Sequence, residues 1–149
     1  EEHPDIPVVQ MDTVEGKKGG KVLLTIFFTR SDLMLIFLRD HNTSQSVIDI
    51  FNYLDRLLGR EDFMRLFPVI LSDNGSEFTN PTAIEYDSFG NLRTRIFYCE
   101  KSSPHQKAEI ERNHEYIRMI LPRGTSFDGL SQSSVDLLAN HINSLIRKS

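Results

Sequence analysis

VILSDNGSEF, residues 69–78, decides how this chain is read. Val69, Ile70 and Leu71 make an unbroken apolar run, and Ser-Asp-Asn-Gly follows at once. A short apolar run bounded by turn residues predicts a strand over Pro68–Leu71, buried on both faces and ending in a tight turn. Asp73 stands at its tip. Asp-Asn-Gly is good turn chemistry, so Asp73 reads either as a turn residue or as a charge held at a strand end for chemistry.

The elements before it give that strand a place. Val8–Val14 is a short strand, and "EGKKGGK" has the Gly and Lys content of a hairpin turn. Lys21–Arg30 and Leu33–Arg39 are two more strands joined by Ser31 and Asp32, which predicts an antiparallel meander. Val47, Ile50, Phe51, Leu54, Leu57 and Leu58 then recur at helical spacing, with Thr43 or Ser44 to cap the start and Gly59 to end it. A right-handed crossover through this helix lays the strand before Asp73 parallel to the first and beside it. Asp12 and Asp73 are then neighbours near the carboxyl ends of adjacent strands, where open sheets place ligand sites.

Downstream, "NPTAIEY" reads as a short helix, "SFGN" as a turn and Arg95–Cys99 as a fifth strand. Pro104 opens the helix "PHQKAEIERNHEYIRMIL", which Pro122 and Gly124 close. Ser131–Lys148 is a last amphipathic helix with Val135, Leu138, Ile142, Leu145 and Ile146 on one side. The order is β-β-β-α-β-(α)-β-α-α, with no repeats or interior linkers.

A chain of 149 residues suits one domain with its own core, and 39% hydrophobic with 26% charged residues is globular composition. The single cysteine, Cys99, excludes a disulfide framework and a cysteine-rich zinc site, and it reads as packing in a reducing compartment. No run approaches the roughly 20 apolar residues of a membrane span, and "EEHPDIP" lacks the features of a signal peptide. The absence of an initiating Met fits a piece of a longer protein. A net charge of −4 argues mildly against a nucleic-acid binder. Residues 95–123, however, carry six basic side chains against four acidic ones, and a cation site looks acidic when counted without its ions.

Asp12 lies inside "VVQMDTVEG". A buried carboxylate is expensive unless paired or bound to metal, although strand alternation equally allows Asp12 to face solvent. In the 104–121 helix one stripe reads Lys107, Glu111, His114, Glu115 and Arg118, while Glu109 points nearly opposite. The plain reading of that stripe is a solvated charged face. Joined with Asp12 and Asp73, Glu111 completes an oxygen-only acidic pocket of the kind Mg²⁺ or Mn²⁺ takes. Two such ions about 3.5–4 Å apart serve phosphoryl transfer, and the basic members of the stripe would hold backbone phosphates. His3, His41, His105 and His141 are scattered without ligand spacing.

Four stretches resemble the catalytic core of DDE transposases and retroviral-type integrases, and look closest to the IS30-type insertion-sequence transposases. "MDTVEG" resembles the first-aspartate strand, and "SDNGSEF" the second-aspartate motif. "SPHQKAEIERNHEYIR" resembles the third-acid helix, and "LPRGTSF" the Pro-basic-Gly-Thr segment of IS30-type enzymes. Asp12 and Asp73 are 61 positions apart, and Asp73 and Glu111 are 38, slightly longer than the family's usual gap.

The resemblance implies one RNase H-like α/β domain over 1–149: a five-stranded mixed sheet, its first three strands antiparallel, with helices on both faces. It implies DNA cleavage and strand transfer with two Mg²⁺ (or Mn²⁺), with Asp12, Asp73 and Glu111 as catalytic and metal-binding acids. Arg118 falls on the basic position that contacts terminal DNA. Lys107 sits where many relatives have Gln or Arg, Ala108 where retroviral enzymes have Gly, and His114 is a further expected DNA contact. Glu115 has no clear counterpart. The implied partners are transposon ends, target DNA and further copies of the chain, with no membrane, in the bacterial cytoplasm at the nucleoid. Family members carry a helix-turn-helix DNA-binding region upstream, which this sequence lacks. Two other readings stand beside this one: an RNase H-like nuclease without strand transfer, and a DNA-binding domain without chemistry.

Overall fold

A computed structural model of the chain describes residues 7–73, 75–99 and 108–148. Its elements are β1 (Val8–Glu15), β2 (Val22–Phe28), β3 (Leu33–Arg39), α1 (Ser44–Leu58), α2 (Arg60–Leu66) and β4 (Val69–Ser72). A single 3₁₀ turn over Ser76–Phe78 leads to α3 (Pro81–Glu85), β5 (Ile96–Tyr98), α4 (Ala108–Ile120) and α5 (Gln132–Lys148). Among the described residues five strands form one sheet in the order β3-β2-β1-β4-β5. The β1–β2 and β2–β3 pairs are antiparallel, and the β1–β4 and β4–β5 pairs are parallel. The meander and the crossover are as the sequence predicts.

Strand alternation divides the core in two. Val9 and Met11 of β1 join Leu24, Ile26 and Ile70 under α1 and α2, where Phe51, Phe63 and Phe67 pack ring against ring. Val14, Leu23 and Phe27 face the other way, onto Ile110 and Ile117 of α4 and Val135 and Ile142 of α5. Helices therefore cover both faces. Thr43 caps α1 by accepting from the Ser46 N–H, and Gly59, at a φ of 84°, turns the chain directly into α2. The sequence order lacks α2, whose seven residues bury only Phe63, too little to show a helical period.

One expectation needs correction. β4 is not buried on both faces, since Ile70 and Ser72 are buried while Val69 and Leu71 are half-buried. The reason is coverage: α4 packs over β1 and β2 and α5 over β3, leaving that side of β4 partly open. At the opposite edge of the sheet, α5 blocks β3. Asn143 bonds both the N–H and the C=O of Met34, and Gln132 bonds Leu38 N–H and Ile36 C=O. These amides satisfy an edge that would otherwise invite strand pairing. Among the described residues no helix is long and apolar enough to cross a membrane.

Candidate active site

β1 and β4 pair in parallel through Val8 with Val69, Val9 with Ile70 and Gln10 with Leu71. These partners are 61 positions apart, the same separation as Asp12 and Asp73. Carrying that register on two positions relates Asp12, inside β1, to Asp73, the first residue after β4. Asp12 belongs to the α4 side, because its ladder partner on β2 is Thr25, and Thr25 bonds His114 of α4. Each carboxylate is held by a nearby backbone donor: Thr13 N–H to Asp12 Oδ1 at 2.8 Å, and Gly75 N–H to Asp73 Oδ1 at 3.2 Å. Asp12 is half-buried and Asp73 is exposed.

α4 is anchored where the Ile110 N–H donates to Gln10 Oε1 at 3.1 Å. Ile110, Asn113 and Ile117 face inward. The next stripe, Glu111, His114, Glu115 and Arg118, lines a groove of about 550 Å³ with Thr13, Val14, Met119 and Arg123. These are four of the five residues that helical spacing sets in one stripe, and the groove opens beside Thr13, the residue next to Asp12. His114 Nε2 lies 2.8 Å from Thr25 Oγ1, which donates to the Asp12 carbonyl at 3.1 Å. Arg118 donates through Nη2 to the Glu15 carbonyl at 2.9 Å. Burial first, and then the like charge of Arg123, lower the Arg118 pKa, while Glu15 opposes them.

Asp12 thus lies on the side of the sheet that α4 covers, Asp73 directly follows β4, and Glu111 lines the groove beside Thr13. Among the described residues, though, no three His, Cys, Asp or Glu side chains are gathered as a ready metal cluster. Lys107, Asn74 and the opening residue Pro104 lie outside the described residues, and so does the Glu109 side chain.

Behind the aspartates is a network the sequence reading does not anticipate. Arg39, 3% exposed at the end of β3, donates to Ser46 Oγ at 3.0 Å and to Thr13 Oγ1 at 2.9 Å. Thr13 Oγ1 in turn donates to Glu77 Oε2 at 2.6 Å, and Glu77 is 8% exposed. Burial pushes the Arg39 pKa down to about 10 against the pull of Glu77. Glu77 is placed by the 3₁₀ turn, whose Phe78 is fully buried and whose Phe78 carbonyl accepts from the Tyr98 hydroxyl. The available signal was alternation: if Asp12 faces α4, Thr13 faces α1, so its hydroxyl needs a partner there.

No protein-family model matches the chain. It is 26% identical over 139 residues to a protein carrying the name of an integrase, ORF3 of Spiroplasma virus SpV1-R8A2 B, covering 93% of this chain and 41% of that one. It is 33% identical over 54 residues to the transposase for insertion sequence element IS1086 of Cupriavidus metallidurans, covering 36% of this chain and 16% of the transposase. The chain thus spans less than half the length of either relative. Among solved structures, it matches a chain of the simian T-cell lymphotropic virus intasome in complex with PP2A regulatory subunit B56 gamma. That match has a TM-score of 0.64 at 16% identity, over 90% of this chain and 47% of the other. The BIV integrase catalytic core domain matches at 0.58 and 19%, over 89% of this chain and 80% of that domain. The HTLV-2 integrase catalytic core domain in complex with magnesium, in trimeric form, matches at 0.54 and 17%, over 93% and 82%. The fold is therefore that of integrase catalytic cores, RNase H-like, with a five-stranded mixed sheet between helices.

Proposed function

We propose that this chain is the catalytic core of a DNA strand-transfer enzyme, a DDE-type polynucleotidyl transferase nearest the IS30-type insertion-sequence transposases. The observation that carries the reading is the parallel β1–β4 register, whose 61-position offset is that of Asp12 and Asp73, together with a groove beside Thr13 lined by Glu111 and Arg118. The names of its relatives, integrase and insertion-sequence transposase, support the same chemistry.

The donor set suits a hard divalent cation, since Asp12, Asp73 and Glu111 offer only carboxylate oxygens. Gly75 keeps clear the space beside Asp73 Oδ1 that a Cβ would enter. In this reading the three acids hold two Mg²⁺ or Mn²⁺, with Glu111 drawn to the aspartate pair from its groove. When bound, such ions activate an attacking oxygen and stabilise a leaving one. The protein's own part is positional. Thr13 and Gly75 orient the aspartates, His114 with Thr25 fixes α4 against β1 and β2, Arg118 holds DNA phosphates in the groove, and Lys107 is a further phosphate contact. His114 adds a DNA contact from the same wall. The substrates are transposon ends and target DNA, handled by a homodimer or larger assembly at the bacterial nucleoid. An upstream helix-turn-helix region supplies end recognition.

The test is transfer of label. A fluorescent oligonucleotide with a free 3′-hydroxyl is incubated with a plasmid, Mg²⁺ or Mn²⁺ and the protein. The reading predicts that label joins the plasmid, and that Asp12→Asn, Asp73→Asn and Glu111→Gln each abolish joining. Nicking without joining would favour the nuclease reading, and DNA retention without either would favour a binding domain.

A further inference from the structure

Glu77 is a buried carboxylate that none of the roles above uses. It touches both residues that hold the aspartates. Thr13, whose N–H orients Asp12, gives its hydroxyl to Glu77 Oε2 at 2.6 Å. Gly75, whose N–H orients Asp73, packs on the other oxygen: a Cβ built on Gly75 would stand 2.6 Å from Glu77 Oε1 and 3.2 Å from Asp73 Oδ1. One side chain therefore spans the two backbone donors. Its own place is fixed from behind, because Thr13 Oγ1 also accepts from Arg39 Nη2 at 2.9 Å, and Arg39 is locked to Ser46 of α1 at 3.0 Å. The hydroxyl has one proton, which goes to Glu77, and it receives one from Arg39, so the direction of the chain from Arg39 to Glu77 is set.

We propose that Glu77 is a positioning residue that sets the spacing of Asp12 and Asp73 through Thr13 and Gly75. The inference rests on the metal-binding reading given above. Glu77 lies behind the pair, bonded to a threonine hydroxyl and covered by the turn, so it acts through the two aspartates. Its effect comes from reach as well as charge. Aspartate at this position keeps the charge facing Arg39 but falls one methylene short of bridging Thr13 to Gly75. Glutamine keeps the reach and an acceptor for the Thr13 hydroxyl. A charge-only role and a spacing role thus predict opposite rankings for the two variants.

The experiment titrates Mn²⁺ by calorimetry into the whole chain as wild type, Glu77→Asp, Glu77→Gln and Asp73→Asn, with thermal unfolding of each metal-free protein alongside. Groups that orient metal ligands typically contribute about 10–100-fold in affinity. The expected result is Mn²⁺ affinity lowered about tenfold or more in Glu77→Asp and kept within about threefold in Glu77→Gln, whatever their melting temperatures. Affinity in Glu77→Asp equal to wild type overturns the inference alone, provided that Asp73→Asn abolishes binding. Losses of affinity that follow melting temperature across both variants overturn it too, in favour of a purely structural role. A wild type that takes up no Mn²⁺ overturns the metal-binding reading, and this inference with it.

Discussion

Thr25 Oγ1 lies 2.8 Å from His114 Nε2 and donates to the Asp12 carbonyl at 3.1 Å, so one buried hydroxyl joins α4 to the strand that carries the first aspartate. Its single proton goes to Asp12, which makes His114 the donor of the other bond, from Nε2. Thr25→Val nearly keeps the volume and leaves both groups without that partner. We expect a loss of about 1–3 kcal/mol in urea unfolding. A double-mutant cycle with His114→Ala should give a coupling of about 0.5–3 kcal/mol, whereas additive losses would show that the two side chains act independently.

Gly75 has little room. The Cβ of Gly75→Ala would meet Glu77 Oε1 at 2.6 Å and Asp73 Oδ1 at 3.2 Å. One of the two carboxylates must move. Displacing reacting groups by about 1 Å can cost on the order of 10²-fold in rate. Strand transfer should therefore fall at least about tenfold with DNA affinity unchanged. Wild-type activity in this variant would show that the Asp73 geometry tolerates the shift.

Arg118 and Arg123 stand in one groove, close enough for their charges to oppose one another. Such a pair gains from a shared phosphate. Arg118→Ala should weaken binding of duplex DNA and reduce the slope of log affinity against log salt by about one. An unchanged slope would mean that Arg118 serves only its bond to the Glu15 carbonyl at 2.9 Å.

Far from the site, Arg60 bonds Asp55 at 2.9 Å and Asp87 at 2.5 Å. The Arg60 hydrogen bond, helped by the Asn91 N–H, lowers the Asp87 pKa from 3.8 to about 2. A carboxylate depressed in the folded state adds stability above its unfolded pKa, and that stability is lost as pH falls from about 4 towards 2. Asp87→Asn keeps an oxygen for the turn N–H groups of Phe89 and Asn91. Its melting temperature should fall below wild type near about pH 6, and the gap should close towards about pH 2. A gap of constant size across that range would remove the ion pair from the account.

The β4 tip is legible in the sequence because its signals are local: an apolar run, then Asp-Asn-Gly. The parallel pairing of β4 with β1 is legible too, because a right-handed crossover leaves few places for β4, and the register of Val8 with Val69 has the 61-position offset of Asp12 and Asp73. Glu77 is not. It lies in the same quoted stretch, but nothing local distinguishes a buried glutamate from a solvated one, and its partner Thr13 is 64 positions away. Arg39 hides for a similar reason, since an arginine ending an apolar strand reads as a solvated charge until β1 and α1 are packed around it. The partial exposure of Leu71 depends on which strands α4 and α5 cover, which a four-residue apolar run cannot encode.

In the proposed site Asp12 and Asp73 share a divalent cation that Glu111 helps to hold. A crystal of the chain soaked in Mn²⁺, read by anomalous scattering, tests it most directly. The expected result is a manganese peak between Asp12 and Asp73 with a Glu111 oxygen in its coordination shell, absent from Asp73→Asn crystals. Manganese bound elsewhere, or a peak that persists in Asp73→Asn, would contradict it.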